Sequence, residues 1–261
     1  MNGAPPRPAW AVNTGTENMS AGTSIFDPVL CELAYRWFSP PGGVVLDPFA
    51  GGSVRGIVAA KLGRQYIGIE LRPEQIAANR KQAETICKDD AVQPVWMEGD
   101  ACDTEKLVGT AKADLVFSCP PYADLEVYSD DPRDLSTMPY EAFRETYSRI
   151  IAACVAALNP DRFACFVVGD IRDKAGCYRG FPAHTIEAFK KAGVKLYNEA
   201  VLVTAVGSLS IRVAKQFRSG RKLGKTHQNV LVFVKGDSKK ATEACGPVEV
   251  SVPIGDDGNA A

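Results

Sequence analysis

The chain has 261 residues, of which 46% are hydrophobic and 23% are charged, and its formal net charge is −1. This composition excludes a disordered chain, and the length allows one large α/β domain or two small ones. The near-neutral charge excludes a uniformly basic protein, so any nucleic-acid binding requires a local basic surface.

Signals for membrane insertion, export and metal binding are weak. No hydrophobic run reaches the roughly 20 residues of a membrane-spanning helix, and the N-terminus lacks the apolar stretch of a signal peptide. The eight cysteines contain no Cys-x-x-Cys pair, which indicates reduced thiols and a cytoplasmic location. Because His184 and His227 are far apart and no cysteines cluster, we expect no metal site. Nothing in the sequence indicates the oligomeric state.

The two ends of the chain differ from its middle. Residues 1–20 and 237–261 are rich in small and polar residues and show no periodicity, which predicts a flexible arm and a flexible tail. A single domain is expected over residues 21–236. No internal repeat is present.

Helix and strand signals alternate along this domain. Helices are predicted over 28–38, 53–61, 73–86, 140–158 and 182–192, and strands over 44–46, 65–69, 95–98, 113–117, 163–168, 197–204 and 229–234. The alternation predicts an α/β fold with a doubly wound, mostly parallel seven-stranded sheet. The last two strands have no helix of comparable strength between them, which predicts an antiparallel pair at one edge.

A glycine turn follows the first predicted strand. Residues 44–53 have the pattern of a strand, a tight turn containing Gly51 and Gly52, and the start of a helix. Glycines let the backbone approach a ligand closely, and open α/β sheets bind ligands at the carboxyl ends of their strands. Acidic residues follow the next two strands, with Glu70 suited to ribose hydroxyls and Asp100 suited to an adenine amino group. The pattern predicts an adenosine site.

The turn favours one adenosine cofactor over another. A pyrophosphate site normally takes its amides from G-x-G-x-x-G at a helix N-terminus, whereas here the glycines are Gly51, Gly52 and Gly56. Asp47 on the turn repels a pyrophosphate and suits the ammonium group of a methionine moiety. We therefore expect S-adenosylmethionine, and an NAD-dependent oxidoreductase is a distant alternative.

The fourth predicted strand leads into Ser118-Cys119-Pro120-Pro121-Tyr122. Consecutive prolines fix an extended path and leave their carbonyl oxygens as acceptors, while the tyrosine ring can stack on a base. Acceptors on the N–H bonds of an exocyclic amino group draw the nitrogen lone pair out of conjugation and make it nucleophilic. The segment therefore favours methyl transfer to such a nitrogen, for which positioning is the main requirement.

Four segments resemble the amino-methylating DNA methyltransferases, which make N6-methyladenine or N4-methylcytosine. D-P-F-A-G-G at 47–52 resembles their cofactor motif, and C-P-P-Y at 119–122 resembles their catalytic motif. F-D-P at 26–28 resembles the segment beside the methionine end of the cofactor, and residues 227–236 resemble the closing strand. The resemblance spans about residues 24–236 and implies a class I, Rossmann-like methyltransferase fold.

The resemblance also implies roles for the matching residues. The catalytic residues would be Cys119, Pro120, Pro121 and Tyr122. The cofactor-binding residues would be Phe26, Asp27, Asp47, Pro48, Phe49, Ala50, Gly51, Gly52, Glu70, Leu71, Asp100 and Ala101. The methyl acceptor would be an adenine or a cytosine flipped out of duplex DNA, and the sequence does not distinguish the two bases.

The chain departs from the family pattern at two positions. Ser53 replaces the third glycine of the cofactor loop, which is tolerable because serine can start a helix. Cys119 stands where the family has Asp, Asn or Ser, and a thiol accepts hydrogen bonds only weakly. We therefore expect the Pro120 carbonyl to do more of the work. A nucleophilic cysteine, as in cytosine-C5 methyltransferases, is disfavoured because that cysteine follows its Pro-Pro pair.

Two segments are candidates for contacting nucleic acid. The run between residues 212 and 227 predicts a mobile basic loop that contacts phosphates. Its candidate residues are Arg212, Lys215, Arg218, Arg221, Lys222, Lys225 and His227. The acidic run 123–139 predicts a lid, with Tyr128 as a second stacking face and Glu126 near the base edge.

Two other functions remain open at this point. RNA and protein-glutamine amino methyltransferases also carry x-P-P-Tyr, although the long segment similar to DNA enzymes speaks against them. A non-catalytic nucleic-acid-binding module that retains cofactor binding is the second alternative, and the thiol of Cys119 keeps it open.

Overall fold

The computed structural model describes residues 26–204 and 209–248. The predicted N-terminal arm at 1–20 lies outside the described residues, as do positions 249–261 of the predicted tail. Within the described part of the chain, no helix combines the length and apolar character needed to cross a membrane.

Eight α-helices and seven strands are described in these two ranges. The helices are α1 (Pro28–Phe38), α2 (Val54–Lys61), α3 (Pro73–Ile86), α4 (Thr104–Val108), α5 (Tyr140–Ala157), α6 (Phe181–Lys191), α7 (Leu209–Gly220) and α8 (Ser238–Cys245). The strands are β1 (Val44–Asp47), β2 (Gln65–Glu70), β3 (Val95–Glu98), β4 (Ala113–Ser118), β5 (Leu158–Val168), β6 (Lys195–Val203) and β7 (His227–Lys235).

The strands form one sheet in the order β3-β2-β1-β4-β5-β7-β6. The first five neighbours in this order are parallel, and β7 runs antiparallel to both β5 and β6. The predicted doubly wound sheet with an antiparallel edge pair is therefore confirmed. The chain winds outward from β1 to β3 and then returns to place β4 on the other side of β1, so a crevice opens between β1 and β4.

Helices cover both faces of the sheet and bury two hydrophobic clusters. One cluster joins α5 and α6 to the sheet through residues such as Phe143 and Phe189, and the other joins α1, α2 and α3 through residues such as Tyr35 and Ile76. Residues 115–117 of β4 and 163–168 of β5 form continuous apolar runs and are buried, as expected of central strands covered on both faces.

The basic run predicted as a loop is helical in its first half. Leu209, Val213 and Phe217 recur at four-residue spacing in α7, and a Cβ atom on Gly224 would lie 2.7 Å from Val213. The segment after α7 therefore folds back against the helix. Arg212, Lys215 and Arg218 lie on α7 and not on a loop. The expectation that no comparable helix separates the last two strands is wrong.

The predicted flexible tail also begins with a helix. Asp237 caps α8 by accepting hydrogen bonds from the amides of Lys239 (2.8 Å) and Lys240 (3.1 Å). Ala241 and Cys245, four residues apart, are buried. The described domain thus extends beyond its predicted end at residue 236. The four-residue spacing of Ala241 and Cys245 is the sequence signal for this additional helix.

Candidate active site at the carboxyl ends of β1 and β4

The glycine turn and the Pro120–Pro121 corner (residues 118–122) lie side by side because their strands are neighbours. β1 pairs with β4 in parallel, with Leu46 opposite Val116. The Ser118 side chain then reaches across, and its Oγ donates a 2.5 Å hydrogen bond to Asp47 Oδ1. The two segments that the sequence analysis assigned to cofactor and base therefore meet at one edge of the sheet.

The Asp47 side chain stabilises the glycine turn through hydrogen bonds. Its side chain is fully buried, and Oδ2 accepts hydrogen bonds from Arg55 Nε (2.6 Å) and the Tyr66 hydroxyl (2.8 Å). Oδ1 accepts a bond from the Phe49 amide (3.2 Å) in addition to the one from Ser118. Contrary to the sequence expectation, Asp47 presents no free carboxylate to a methionine ammonium group. Its role is to position the turn.

Arg55 is the buried partner of this carboxylate. Its Nη2 donates to the carbonyls of Phe49 (2.6 Å) and Ala50 (3.0 Å), and its guanidinium lies 4.9 Å from the centre of the Phe26 ring. Burial alone would lower the pKa of Arg55, but Asp47 holds it above its ordinary value. The charged pair thus ties the turn to α2 and to the segment before α1.

The glycine turn faces open space. Gly51 has φ +48°, which favours glycine, and a Cβ atom on Gly52 would meet no atom within 4 Å. The Gly51 amide donates to Glu70 Oε2 (2.9 Å), and Asn79 donates to the Gly51 carbonyl (2.7 Å). A ligand can therefore approach the backbone of the turn beside the Glu70 carboxylate.

Ser53 and Gly56 stabilise the start of α2. Ser53 stands at the cap position but makes no side-chain cap bond, and its hydroxyl donates instead to Gln82 on α3. Gly56 allows close packing, since a Cβ atom there would lie 2.6 Å from the Trp96 ring. Gly56 thus allows α2 to pack closely against Trp96 of β3, although the turn has Ser53 in place of a third glycine.

The remaining predicted cofactor residues surround the same edge. Phe26 packs edge-on against Phe117 with ring centres 5.7 Å apart, whereas Asp27 is exposed and caps α1 by accepting from the Val29 amide (2.8 Å). Asp100 follows β3 and accepts from the Cys102 amide (2.8 Å). The other members are buried or partly exposed at the ends of these strands, namely Pro48, Leu71 and Ala101.

The Pro120–Pro121 corner is held mainly through Tyr122. The Tyr122 hydroxyl accepts a hydrogen bond from Gln228 and lies 4.0 Å from Cys119 Sγ, and its ring packs edge-on against Phe181. Gly169 packs beside this arrangement, since a Cβ atom there would lie 3.6 Å from the Tyr122 oxygen, at ordinary van der Waals distance. In the described part of the chain, no hydrogen bond ends at the Pro120 or Pro121 carbonyl.

Cys119 is a neutral thiol in this environment. Burial raises its pKa above the ordinary value, although the nearby Arg55 charge opposes the effect. A raised pKa keeps the thiol protonated at neutral pH, so it is a poor nucleophile. The geometry therefore offers no support for a covalent cysteine mechanism.

The acidic run predicted as a lid spans the distance from the Pro120–Pro121 corner to the end of β2. The Tyr128 hydroxyl donates to Glu126 (2.7 Å), and the Arg72 guanidinium lies 6.0 Å from the centre of the Tyr128 ring. Arg72 in turn donates to Glu70 (3.1 Å). Tyr128 is thus directed toward the Glu70 edge, and Glu126 is directed toward Tyr128.

The predicted nucleic-acid-binding residues separate into two groups. Arg221, Lys222, Lys225 and His227 line a cavity of about 640 Å³ beside residues 170–178. Lys215 and Arg218 are exposed on α7, which also contains Arg212. His184 lies apart from this surface, and its Nδ1 is 2.9 Å from the Tyr140 hydroxyl.

Similarity to known proteins agrees with this geometry. A family model described as DNA methylase matches residues 26–81, which contain the glycine turn, Arg55 and Glu70. Within this segment the chain is similar to the DNA methylases. It is 43% identical over 84 residues to Type II methyltransferase M.Cfr9I of Citrobacter freundii and 40% identical over 80 residues to Type II methyltransferase M.XycI of Xanthomonas campestris pv. cyanopsidis. Each match covers 30% of this chain and 26% of the relative, so the chain matches about a quarter of the length of these DNA methyltransferases.

The fold is that of class I methyltransferases. Magnesium protoporphyrin IX methyltransferase from Synechocystis PCC 6803, solved with bound SAH, superposes with a TM-score of 0.52 at 12% identity. The superposition covers 83% of this chain and 90% of that one. The predicted Rossmann-like methyltransferase fold and the predicted family resemblance are both confirmed.

Sequence reasoning missed three residues of this DNA-methylase-like site. Arg55, Ser118 and Gln228 bind the Asp47 carboxylate or the Tyr122 hydroxyl. Ser118 precedes the motif and was given no role, yet it is buried and bonded to Asp47. A charged residue within the otherwise apolar start of α2 was a usable signal for Arg55, whereas Gln228 lies 106 residues from its partner and gave none.

Proposed function

We propose that the chain transfers a methyl group from S-adenosylmethionine to the exocyclic amino nitrogen of an adenine or cytosine flipped out of duplex DNA. The observation that carries the proposal is the 2.5 Å bond between Ser118 and Asp47, which places the glycine turn beside the Pro120–Pro121 corner. The match of residues 26–81 to the DNA methylases supports DNA as the substrate.

The residues at the first three strand ends fit an adenosine-containing cofactor. Open space faces Gly52, and Glu70 and Asp100 follow the adjacent parallel strands β2 and β3. Glu70 would accept the ribose hydroxyls, and Asp100 would accept the adenine amino group. Phe26, fixed against Phe117 and Arg55, would bound the methionine end.

The corner would hold the target base. The Tyr122 ring would stack on it, and the Pro120 carbonyl would accept a hydrogen bond from its amino group. When bound, S-adenosylmethionine supplies an electrophilic methyl group carried on a positively charged sulfur. The hydrogen bond accepted by the Pro120 carbonyl would turn the nitrogen lone pair toward that methyl group. The nitrogen–carbon bond would form as the carbon–sulfur bond breaks, which leaves neutral S-adenosylhomocysteine, and the nitrogen would release one proton to water.

The neutral thiol of Cys119 favours one alternative, a module that binds the cofactor and DNA without catalysis. A thiol accepts the second N–H bond poorly, so the Pro120 carbonyl must suffice for turnover. Restoring a stronger acceptor by Cys119→Asp separates the two functions. The proposed enzyme already methylates DNA before this substitution, whereas the module gains activity only after it.

The decisive experiment supplies labelled S-adenosylmethionine to the full chain with duplex DNA, RNA of the same sequence, or total protein. The DNA is then digested to nucleosides and analysed by mass spectrometry. The proposal predicts N6-methyladenine or N4-methylcytosine in the DNA. Label in RNA or protein alone, or methyl groups only at cytosine C5, would refute it.

A further inference from the structure

A basic groove lies next to the Pro120–Pro121 corner. It is formed by the hairpin at residues 170–178, in which Arg172 bridges to Tyr178, and by the segment at residues 220–227 that follows α7. Its volume is about 640 Å³, within the range of natural ligand sites. We call it the Tyr178 groove.

The charge of the Tyr178 groove is strongly positive. Arg172, Arg221, Lys222 and Lys225 line it, and Asp170 is the one carboxylate among the described residues that do so. Asp170 Oδ1 is already occupied by the amides of Ile171 (2.9 Å), Gly180 (2.9 Å) and Phe181 (3.1 Å) at the start of α6. With four cationic side chains against one carboxylate, the groove keeps an excess of positive charge for an anionic ligand.

The cations are held in place before any ligand arrives. The Arg172 guanidinium lies 3.8 Å from the centre of the Tyr178 ring, and its Nη1 donates to the Gly176 carbonyl (2.8 Å). Lys222 occupies the space that a side chain at Gly176 would need, since a Cβ atom there would lie 2.4 Å from its Nζ. Preorganised donors of this kind bind phosphate oxygens at low entropic cost.

The groove lies next to the proposed base site in the chain. Gly169 lies against the Tyr122 oxygen, and the next residue, Asp170, lines the groove. Gln228 binds the same Tyr122 oxygen, and the preceding residue, His227, lines the groove as well. Consecutive Cα atoms are about 3.8 Å apart, so a strand that enters the groove passes within a nucleotide or two of Tyr122.

We propose that the Tyr178 groove binds the sugar-phosphate backbone of the target DNA strand beside the flipped base, with Tyr178 as the positioning residue for Arg172. The occupant rests on the proposed function, and it is a DNA strand and not a free anion, because residues adjacent to the groove, Gly169 and Gln228, contact Tyr122 of the base site. Arg172, Lys222 and Lys225 contact phosphates. None of these contacts reads the base sequence.

The test measures the affinity of the full chain for a fluorescent DNA duplex over a range of salt concentrations. Replacing Lys222 and Lys225 by Ala should flatten the plot of log affinity against log salt by about 1.8, because each lost phosphate contact removes about 0.9. The matched control is the pair Lys239→Ala and Lys240→Ala on α8, which follows the end of β7 remote from His227 and should leave the slope unchanged.

Variants of Tyr178 separate positioning from general folding. Tyr178→Ala should weaken DNA binding about tenfold, since it releases Arg172, whereas Tyr178→Phe keeps the ring and should bind like the parent chain. Affinity for S-adenosylhomocysteine should stay constant in all variants. An unchanged salt slope in the double lysine variant, or tighter groove-dependent binding of RNA than of DNA, would overturn the inference.

The two proposals fail in different ways. Groove-dependent DNA binding without any methyl transfer would contradict the proposed function and leave this inference standing. Methyl transfer to DNA with unaltered binding in the groove variants would contradict this inference alone.

Discussion

The hydroxyl of Ser118 and the carboxylate of Asp47 join the carboxyl ends of β4 and β1 through a 2.5 Å hydrogen bond. Both side chains are completely buried, so water does not compete for the bond. The bond sets the distance between the glycine turn and the Pro120–Pro121 corner, which are the two halves of the proposed site.

Removing this hydroxyl should affect both stability and activity. Ser118→Ala leaves a charged acceptor short of one buried hydrogen bond, which should lower the free energy of unfolding by roughly 1.5–3 kcal/mol in urea titrations. Methyl transfer should fall as well, because the turn and the corner can then shift apart. Ser39→Ala is the matched control. Ser39 is equally buried, but it precedes β1 and so lies at the end of that strand remote from Asp47. Equal activity losses in the two variants would contradict the role given to Ser118.

The pair of Asp47 and Arg55 should show strong coupling. Arg55→Leu leaves the Asp47 charge buried without its partner and should cost about 3–5 kcal/mol of unfolding free energy. Combining it with Asp47→Asn should recover part of that loss, because the uncompensated charge is gone. Urea titrations of both single variants and the double variant give the coupling energy. Strictly additive losses of unfolding free energy would show that the two side chains do not stabilise each other.

The thiol of Cys119 should stay unreactive at neutral pH. Burial raises its pKa, so the thiolate fraction at neutral pH is smaller than that of an exposed thiol. Iodoacetamide labelling followed by peptide mass spectrometry should modify the exposed Cys177 long before Cys119. Cys119→Ser should retain methyl transfer. Rapid labelling of Cys119 at pH 7, together with an inactive serine variant, would favour a nucleophilic cysteine instead.

Glu70 should determine the affinity for the cofactor. Glu70→Gln removes the charge that would receive the ribose hydroxyls, and it also weakens the acceptor for the Gly51 amide. We expect the dissociation constant for S-adenosylhomocysteine to rise about tenfold or more in calorimetric titrations. Glu74→Gln, an exposed position in the first turn of α3, should change nothing. Similar affinities for the two variants would place the adenosine elsewhere.

The ring of Tyr122 should matter more than its hydroxyl. Tyr122→Ala removes the stacking surface and should reduce kcat/KM about 10-fold to 100-fold, since base stacking is worth about 1–3 kcal/mol. Gln228→Leu breaks the bond between the two side chains, and Tyr122→Phe removes this bond and the contact with Cys119; each should lose less than tenfold. Steady-state kinetics on duplex DNA measure all three. A larger loss in Tyr122→Phe than in Tyr122→Ala would assign the chemistry to the hydroxyl.

The sequence was most informative where local patterns decide structure. The helix bounds 73–86 and the strand bounds 95–98 agree with the structure because Pro73 and the flanking turns mark them in the chain itself. The glycine turn and the proline corner were likewise recognised from their own residues. That the turn and the corner lie side by side was also predictable, because the carboxyl ends of neighbouring parallel strands meet at the same end of the sheet.

Features that depend on distant partners were not predictable in the same way. Basic residues of α7 obscured a helix whose apolar spacing is confined to one face, and two small residues of α8 gave a weak signal. The neutralisation of Asp47 by Arg55 depends on complete burial of both groups, which no spacing rule reveals. The Tyr178 groove needs two segments about 50 residues apart to fold together.

The most direct test is a crystal structure of the full chain with S-adenosylhomocysteine. The account predicts that its sulfur atom lies between the Gly51–Gly52 turn and the Pro120 carbonyl, with the ribose at Glu70 and the adenine at Asp100. A ligand bound away from this crevice, or a crevice filled by side chains in the complex, would contradict it.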